Sequence, residues 1–379
     1  MSHAPTTTLE HRHRRVRDEL RGRNLDALVV FSRPNITYVT NFTGSSAIVV
    51  VAMDRVWIIT DFRYVTACRA AQEGEHACPG LELVVVSGSY EAALVDLIGR
   101  LGARAVGFEA AHVAVSRHDW LRRTLRQAGH SLDLVGVEHA IERARLCKDA
   151  YEVATLREAA RRLSGVASQV AEEIAPGRSE RDIALGIDVR IRRAGFERSA
   201  FETIVASGPL AALPHARAGD RTLTEGDLVV LDFGGVYDSY CVDLTRTVSV
   251  GRASQQARDV YGAVLEAHDR AIAAVAPGQS RFAIDQAARD LLTARGLGEA
   301  FGHGTGHGLG LEVHEGPRIT RRISDQESDD EAVEPGMVFT IEPGAYLPGW
   351  GGVRIEDDVL VTATGVEVLT NVTTELLEL

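Results

Sequence analysis

The stretch LDFGGVYDSYCVDLTRT, residues 231–247, places two acids, Asp232 and Asp243, in surroundings that otherwise favour β-strands. It overlaps the runs LVVLDF (228–233) and YCVDLTRTV (240–248), whose β-branched residues are typical of buried strands. The acids are 11 residues apart, which fits adjacent antiparallel strands joined by a short connection. The stretch therefore predicts a strand pair that presents two carboxylates to one place.

A second strand pair is predicted further along the chain. The run MVFTIE (337–342) leads to GVRIEDDVLV (352–361), and these runs carry Glu342 and Glu356, 14 residues apart. A buried, unpaired carboxylate is strongly unfavourable, so something cationic must compensate it. For any single acid, pairing with an arginine or a solvated strand end is an alternative. Four acids in two matched pairs instead favour divalent metal ions, and an oxygen-rich site completed by one imidazole suits manganese, cobalt or zinc.

A histidine cluster lies between the two strand pairs. The run HGTGHGLGLEVHEGP (303–317) is rich in glycine, which lets the backbone turn tightly, so we expect His303, His307 and His314 to converge. No phosphate-binding GxxxxGK[ST] pattern is present, and the acidic neighbours disfavour an anion. Two metals bridged by carboxylates suit hydrolysis of an amide, with a nearby acid to shuttle the proton.

Two further residues belong to the candidate site. His215 precedes the first acid strand, although it carries little weight by itself. Arg354 and Glu356 are two residues apart on a predicted strand, so their side chains are predicted to point to the same face. We therefore expect Arg354 to touch the metal site or to anchor its carboxylates.

A weak internal repeat accompanies these motifs. The run APGRS (175–179) recurs as APGQS (276–280), and the helices that follow end at Gly195 and Gly296, both with an offset of 101 residues. In each copy the serine is well placed to cap a helix. The repeat predicts a pseudo-symmetric domain.

The chain of 379 residues is long enough for two domains. Residues 24–137 alternate β-branched runs with helix-like stretches, and a longer helical pattern begins near residue 148. We predict an α/β (α+β) protein with an amino-terminal α/β domain at 1–142 and a second domain at 143–379.

Composition excludes some function classes. The 41 basic and 53 acidic side chains give a net charge of −12, which disfavours nucleic acid as a partner. No run of apolar residues is long enough for a membrane span. The four cysteines form no CxxC motif, so a reducing, cytoplasmic location is expected. The basic stretch at 11–17 suits an amphipathic first helix better than a targeting peptide.

These motifs closely resemble the prolidase and aminopeptidase P branch of the pita-bread metallopeptidases, the Xaa-Pro peptidases. The resemblance rests on residues 231–247, 303–317 and 334–362, and on Pro214-His215. NITYVTNFTGS (35–45) and TDFRY (60–64) are similar to a creatinase-type amino-terminal domain. The resemblance implies a creatinase-like domain followed by a pseudo-symmetric pita-bread catalytic domain.

The resemblance also implies a role for each site residue. Two divalent ions, manganese first and cobalt or zinc as alternatives, would be bound by five ligands: Asp232, Asp243, His307, Glu342 and Glu356. Asp243 and Glu356 would bridge the ions, and Glu342 would also shuttle the proton. The substrate-side residues would be His215, His303 and His314, and Arg354 would support the ligands. Arg318 lies where prolidases often carry an arginine for the substrate carboxylate, the alternative being a surface arginine.

The implied reaction is hydrolysis of the peptide bond preceding proline, by a dipeptidase or an aminopeptidase P acting as a homodimer on a small peptide with proline at its second position. Two alternatives are a same-fold hydrolase of a non-peptide C–N bond, of ectoine or creatine type, and a non-catalytic binding protein. The chain departs from the family pattern at 207–212, which lacks the usual polar residue before Pro214-His215. It also carries an acidic insertion at 323–332, predicted to be a solvated loop.

Overall fold

The computed structural model describes residues 3–322 and 332–379, so most of the acidic insertion predicted at 323–332 lies outside the described residues. The chain forms two compact units, Met1–Arg145 and Leu146–Leu379. Among the described residues, no helix combines the length and the apolar character that crossing a bilayer requires.

The first unit is a mixed sheet with helices packed against it. The strand order is β4-β3-β2-β1-β5-β6, with β1–β5, β5–β6 and β3–β4 parallel and the other neighbours antiparallel. The strands are β1 (Ala27–Val30), β2 (Ile48–Ala52), β3 (Val56–Thr60), β4 (Leu81–Val85), β5 (Ala105–Glu109) and β6 (Asp133–Val137). The helices are α1 (Thr6–Gly22), α2 (Arg33–Thr40), α3 (Val65–Ala70), α4 (Tyr90–Leu101), α5 (Val115–Gln127) and α6 (Ala140–Leu146), with 3₁₀ turns at Phe62–Tyr64 and Ala110–His112.

The second unit contains two helix pairs, each followed by strands. Its helices are α7 (Ala150–Val170), α8 (Glu180–Arg193), α9 (Gln255–Ala273) and α10 (Arg281–Ala294), with 3₁₀ turns at Ala171–Glu173, Gly208–Ala212 and Gly298–Ala300. Its first strands are β7 (Arg198–Ser199), β8 (Ile204–Ser207), β9 (Leu228–Tyr237) and β10 (Tyr240–Ser249). The remaining strands are β11 (Gly306–Gly308), β12 (Glu315–Ile319), β13 (Val338–Ile341), β14 (Gly344–Leu347), β15 (Gly351–Arg354), β16 (Asp357–Val361) and β17 (Val366–Val368).

The internal repeat is visible in the second helix of each pair. Helices α8 and α10 each contain 14 residues and begin after a serine whose hydroxyl accepts a backbone N–H of the first turn, Ser179 from Asp182 and Ser280 from Phe282. Each half also has its own core. Helices α7 and α8 pack with β9 and β10, whereas α9 and α10 pack with β13, β15 and β16.

The first predicted strand pair is present as a hairpin. Strands β9 and β10 pair antiparallel along their whole length, with Asp232 opposite Thr245 and Asp243 opposite Gly234. The turn between them is formed by Asp238 and Ser239, which both have positive φ angles. This left-handed conformation matches the twist of a tight two-residue hairpin.

The second strand pair differs from the prediction. Strands β13 and β16 are antiparallel neighbours, but the β14–β15 hairpin is inserted between them. The predicted single strand at 352–361 is therefore broken, because β15 pairs with β14 and β16 pairs with β13. Glu356 lies at this break, outside both strands.

Candidate metal centre

One cleft in the second unit is lined by all ten residues that the sequence singled out. Its volume is about 660 Å³, which is within the range of small-ligand sites. The lining includes Asp232, Asp243, His307, Glu342, Glu356, His215, His303, His314, Arg318 and Arg354.

Three of the five predicted ligands form a close cluster. Asp243, His307 and Glu356 each offer one ligand atom, and these atoms all lie within 4.8 Å of one another. Asp243 is on β10, His307 is on β11, and Glu356 lies at the break between β15 and β16. The hairpin of the first half and the strands of the second half thus meet at this point.

The other two predicted ligands border the cluster. The Glu342 carboxylate lies 3.4 Å from the Nε2 atom of His307 and accepts a hydrogen bond from the Thr340 hydroxyl. Asp232 accepts a hydrogen bond from the Arg354 guanidinium through Oδ2, whereas its buried Oδ1 has no hydrogen-bond partner among the described residues. An orphaned, buried carboxylate oxygen is costly unless a cation faces it.

The electrostatics of the cluster also fit a cation. Burial, and then the neighbouring charge of Glu356, raises the pKa of Asp243 well above its usual value, and burial followed by the charge of Glu342 does the same for Glu356. Burial raises the pKa of Glu342 to about 8, with a further contribution from Asp232. Crowded carboxylates of this kind are stabilised when a divalent ion supplies positive charge between them.

His307 is neutral and oriented as a ligand. Burial lowers its pKa to about 4. Its Nδ1 lies 3.2 Å from the carbonyl oxygen of Gly308, so Nδ1–H donates to this carbonyl and Nε2 keeps its lone pair. A histidine ligand typically uses one ring nitrogen for the metal and fixes the other with such a bond. A divalent ion would bind both the Nε2 lone pair of His307 and the Glu342 carboxylate, which lie 3.4 Å apart.

Close backbone packing fixes the strand that carries His307. A Cβ atom added to Gly306 would lie 1.8 Å from the carbonyl oxygen of Thr340, and one added to Gly308 would lie 1.9 Å from that of Gly316. No other residue fits at these two positions without moving β11. The glycines on either side of His307 are therefore required by the approach of the neighbouring strands.

Arg354 connects several site residues. Its guanidinium donates to Asp232, to the Thr245 hydroxyl at 3.1 Å and to the Tyr346 hydroxyl at 2.8 Å. The Thr245 hydroxyl in turn donates to Glu356 at 2.5 Å. Arg354 therefore holds Asp232 directly and Glu356 through Thr245.

Sequence reasoning missed Tyr346. Its hydroxyl accepts from Arg354 and lies 2.9 Å from Nε2 of His303, whose Nδ1 is bonded to the carbonyl of Gly304. Burial lowers the pKa of His303 to about 4, so the ring is neutral and its Nε2 accepts the tyrosine proton. Tyr346 lies in the run GAYL, and its role could be inferred from the sequence only if the β14–β15 hairpin had been predicted.

The remaining predicted residues line the same cleft. The rings of His307 and His314 are 4.3 Å apart at an angle of 67°. Arg318, on β12, and His215 line the cleft together with Phe201, Ile204 and Ala216. The alternative that single acids pair with arginines holds for Asp232, whereas Arg246 pairs with Asp357 rather than with a predicted ligand.

The chain is similar to known peptidases along most of its length. Residues 154–363 match metallopeptidase family M24, and residues 12–147 match the creatinase/prolidase N-terminal domain. The chain is 37% identical to the uncharacterized peptidase YqhT of Bacillus subtilis, over 93% of this chain and 96% of the relative.

Two solved structures share the fold. The Xaa-Pro dipeptidase from Bacillus anthracis is 35% identical and superposes with a TM-score of 0.90, covering 98% of this chain and all of the other. The X-Pro aminopeptidase from Thermotoga maritima is 33% identical with a TM-score of 0.84, covering 96% and 100%. The predicted mixed α/β class, with a creatinase-like domain before a pita-bread domain, is confirmed. The chain belongs to metallopeptidase family M24 and carries a creatinase/prolidase N-terminal domain.

Proposed function

We propose that the chain hydrolyses the peptide bond preceding proline in small peptides, using two divalent metal ions. The observation that carries the proposal is the close cluster of Asp243, His307 and Glu356, bordered by Asp232 and Glu342 in the same cleft. In this proposal Asp243 and Glu356 would help to hold both ions, Asp232 would hold one of them, and His307 and Glu342 would hold the other. The similarity to an Xaa-Pro dipeptidase and an X-Pro aminopeptidase supports the substrate class.

The chain's own residues would divide the chemical work. Bound divalent ions would supply Lewis acidity, which lowers the pKa of water and polarises a carbonyl group. Glu342 would accept the proton of the attacking water and deliver it to the leaving proline nitrogen. His215 and His314 would donate hydrogen bonds to the oxygen on which charge develops, and His303, whose two ring nitrogens bond Gly304 and Tyr346, would help to position the scissile carbonyl.

The substrate side of the cleft suits a proline-containing peptide. A proline nitrogen carries no N–H and its ring is rigid, so recognition has to rely on shape and apolar contact rather than on a backbone hydrogen bond. Phe201, Ile204 and Ala216 provide an apolar wall close to His215. Arg318 would bind the free carboxylate of a dipeptide, because a guanidinium can bond a carboxylate through two parallel hydrogen bonds. We therefore propose a preference for dipeptides.

The test is a side-by-side assay of Ala-Pro, Ala-Pro-Ala and Ala-Leu with manganese, cobalt or zinc. We expect release of proline from Ala-Pro, slower cleavage of the tripeptide, little cleavage of Ala-Leu and the highest rate with manganese. The variant Arg318→Met should raise KM for Ala-Pro more than for Ala-Pro-Ala. Inactivity on both proline peptides, with activity on ectoine or creatine, would overturn the proposal in favour of a non-peptide C–N hydrolase. Inactivity on every substrate without metal binding would favour a binding protein.

Two accompanying properties stay predictions, the first implied by the family resemblance and the second by the cysteine pattern. These are a homodimeric assembly and a cytoplasmic location. Light scattering on the purified protein tests the first, and fractionation of the source cells tests the second.

A further inference from the structure

Arg246 is buried next to the backbone of Glu356, and all of its N–H groups are used. A guanidinium has five N–H donors. Nε donates to the carbonyl of Thr373 at 2.8 Å, and one terminal nitrogen donates to the carbonyls of Thr245 at 2.9 Å and Glu356 at 2.6 Å. The other terminal nitrogen donates to the carboxylate of Asp357 at 2.8 Å and to the carbonyl of Val372 at 2.9 Å. This saturated arrangement shows that Arg246 is a junction between backbone segments.

The first group of contacts connects Arg246 to the proposed ligands. Glu356 is itself a proposed bridging ligand, and Thr245 donates to its carboxylate. The backbone N–H of Glu356 also donates to the carbonyl of Thr245 at 3.1 Å, so Arg246 binds both ends of this backbone contact. Glu356 lies at the break between β15 and β16, outside both strands. Thr245 therefore holds its N–H, and Arg246 holds its carbonyl.

The second group of contacts connects Arg246 to the C-terminal segment, residues 371–379. This segment runs along the surface, and most of its attachment is through the main chain. The Tyr261 hydroxyl donates to the carbonyl of Thr374 at 2.8 Å, and Ser249 exchanges backbone hydrogen bonds with Leu377 and Leu379. Val372 and Leu379 pack on the core of the first half, whereas Leu376 packs on that of the second. The segment therefore spans both halves of the second unit.

We propose that Arg246 is a positioning residue that couples docking of the C-terminal segment to the metal affinity of the site. Because Arg246 bonds the carbonyls of Val372 and Thr373 on one side and that of Glu356 on the other, loss of the segment removes two of the five bonds that orient the guanidinium and weakens its hold on the Glu356 carbonyl. A ligand that must be re-ordered on binding lowers affinity. The inference rests on the proposed function only in taking Glu356 as a metal ligand.

A lysine cannot replace Arg246 in this role. Its ammonium group keeps the charge beside Asp357, but it has three donors on a flexible stem and cannot span both backbone segments. The variant Arg246→Lys therefore keeps the positive charge and removes the set of hydrogen bonds to the two backbone segments. Removal of residues 372–379 provides an independent perturbation that leaves Arg246 in place.

The experiment is calorimetric titration of the full-length, metal-free protein with manganese chloride. We expect Arg246→Lys and the truncated variant each to raise Kd about 10- to 100-fold, the usual effect of removing a partner that orients a ligand. The combined variant should be no worse than the more affected single variant, because both changes break one connection. At saturating manganese, kcat on Ala-Pro should return towards the wild-type value with KM unchanged.

The matched control is Arg157→Met, which removes an exposed arginine paired with Glu367 in the same unit. It should bind manganese as the wild type does. If Arg246→Lys is folded by circular dichroism and lowers thermal stability but leaves Kd unchanged, Arg246 is merely structural and the inference fails. Strictly additive losses in the combined variant would also overturn it. If the wild type binds manganese yet does not cleave Ala-Pro, the proposed function fails, while the Kd comparison still decides the role of Arg246.

Discussion

Asp243 is surrounded by other carboxylates. Its side chain is buried, and its Oδ1 accepts the backbone N–H of Leu244 at 2.8 Å. Its own N–H donates to Asp358, another buried carboxylate, at 3.0 Å. The charges of Glu356 and Asp232 oppose ionisation of Asp243. Without a cation, these carboxylates destabilise one another, and with a cation they become a ligand set.

Replacing Asp243 tests this view. The variant Asp243→Asn keeps the shape and removes the charge, so we expect it to lose manganese binding and at least about 100-fold in hydrolysis, beyond the usual effect of removing an outer partner. In the metal-free state its thermal midpoint should not fall below that of the wild type, because a repulsive buried charge is gone. Elemental analysis and calorimetry measure the two effects. A variant that still binds metal with the original affinity would exclude Asp243 as a ligand.

Tyr346 provides a second test at the residue scale. Tyr346→Phe keeps the buried ring but removes the hydroxyl between Arg354 and His303. Since His303 would then lose the donor that orients it, we expect kcat to fall about 10- to 100-fold with little change in manganese affinity. Steady-state kinetics and metal titration separate these effects. An unchanged kcat would show that His303 does not need this bond.

The sequence predicted which side chains line the cleft more completely than it predicted the bonds between them. Asp232, Asp243 and His307 stand out because charged or polar residues interrupt apolar or glycine-rich runs. Tyr346 and Thr245 do not, because a tyrosine and a threonine are ordinary strand residues. Their roles arise from strand register and from the β14–β15 hairpin, which are set by long-range pairing.

Among the secondary structure elements, α1 and α2 of the first unit are joined by a buried histidine. The Nε2 atom of His13, on α1, lies 2.6 Å from the carbonyl oxygen of Val39, on α2, and donates to it. Its Nδ1 is buried without a hydrogen-bond partner among the described residues. Burial lowers the pKa of His13 to about 4. The contact between the two helices therefore requires the neutral ring.

This contact makes the first unit sensitive to acid. In the unfolded chain His13 binds a proton near pH 6.5, whereas in the folded chain it does so only near pH 4. The stability that the neutral ring contributes is therefore fully present above pH 6.5 and is lost as the pH falls towards 4. We expect a loss of about 3 kcal/mol in unfolding free energy by pH 4. His13→Gln keeps a donor for Val39 and should remove this dependence, measured by hydrogen exchange of β1 and β5.

The control for this prediction is His112→Gln, which replaces an exposed histidine of the same unit and should keep the wild-type pH dependence. Equal pH dependence of the wild type and His13→Gln would exclude His13 as the source.

The elements themselves were predictable where periodicity is strong. The hairpin of β9 and β10 and the serine-capped helices α8 and α10 are found where the sequence indicated them. The break at Glu356 was not predictable, because residues 352–361 have one continuous strand-like pattern. This pattern is divided in the structure because its first part, β15, pairs with β14 and its second part, β16, pairs with β13.

For the whole molecule, the proposed ligands all belong to Leu146–Leu379, whereas Met1–Arg145 contributes none of them. Each unit has a buried core of its own. Metal ions bind the folded site and not the unfolded chain. We therefore expect them to raise the unfolding free energy of the unit that holds the proposed ligands.

Hydrogen exchange can locate this stabilisation. With manganese at 100 times Kd, each bound ion should add about 2.7 kcal/mol to the unfolding free energy of the second unit. Amides of β9, β10 and β13 that exchange by complete unfolding should therefore exchange about 100-fold more slowly for each ion bound. Amides of β1 and β5 serve as the internal control and should not change. Equal protection in both units would contradict the prediction.

The division of the ligands between the two halves suggests a use in protein engineering. Of the proposed ligands, the first half holds Asp232 and Asp243, and the second holds His307, Glu342 and Glu356. A cut after Arg252, an exposed residue between β10 and α9, would leave two fragments that each hold an incomplete set of ligands. Reassembly of such fragments would be favoured by the divalent ion, so their complementation would serve as a sensor of metal concentration.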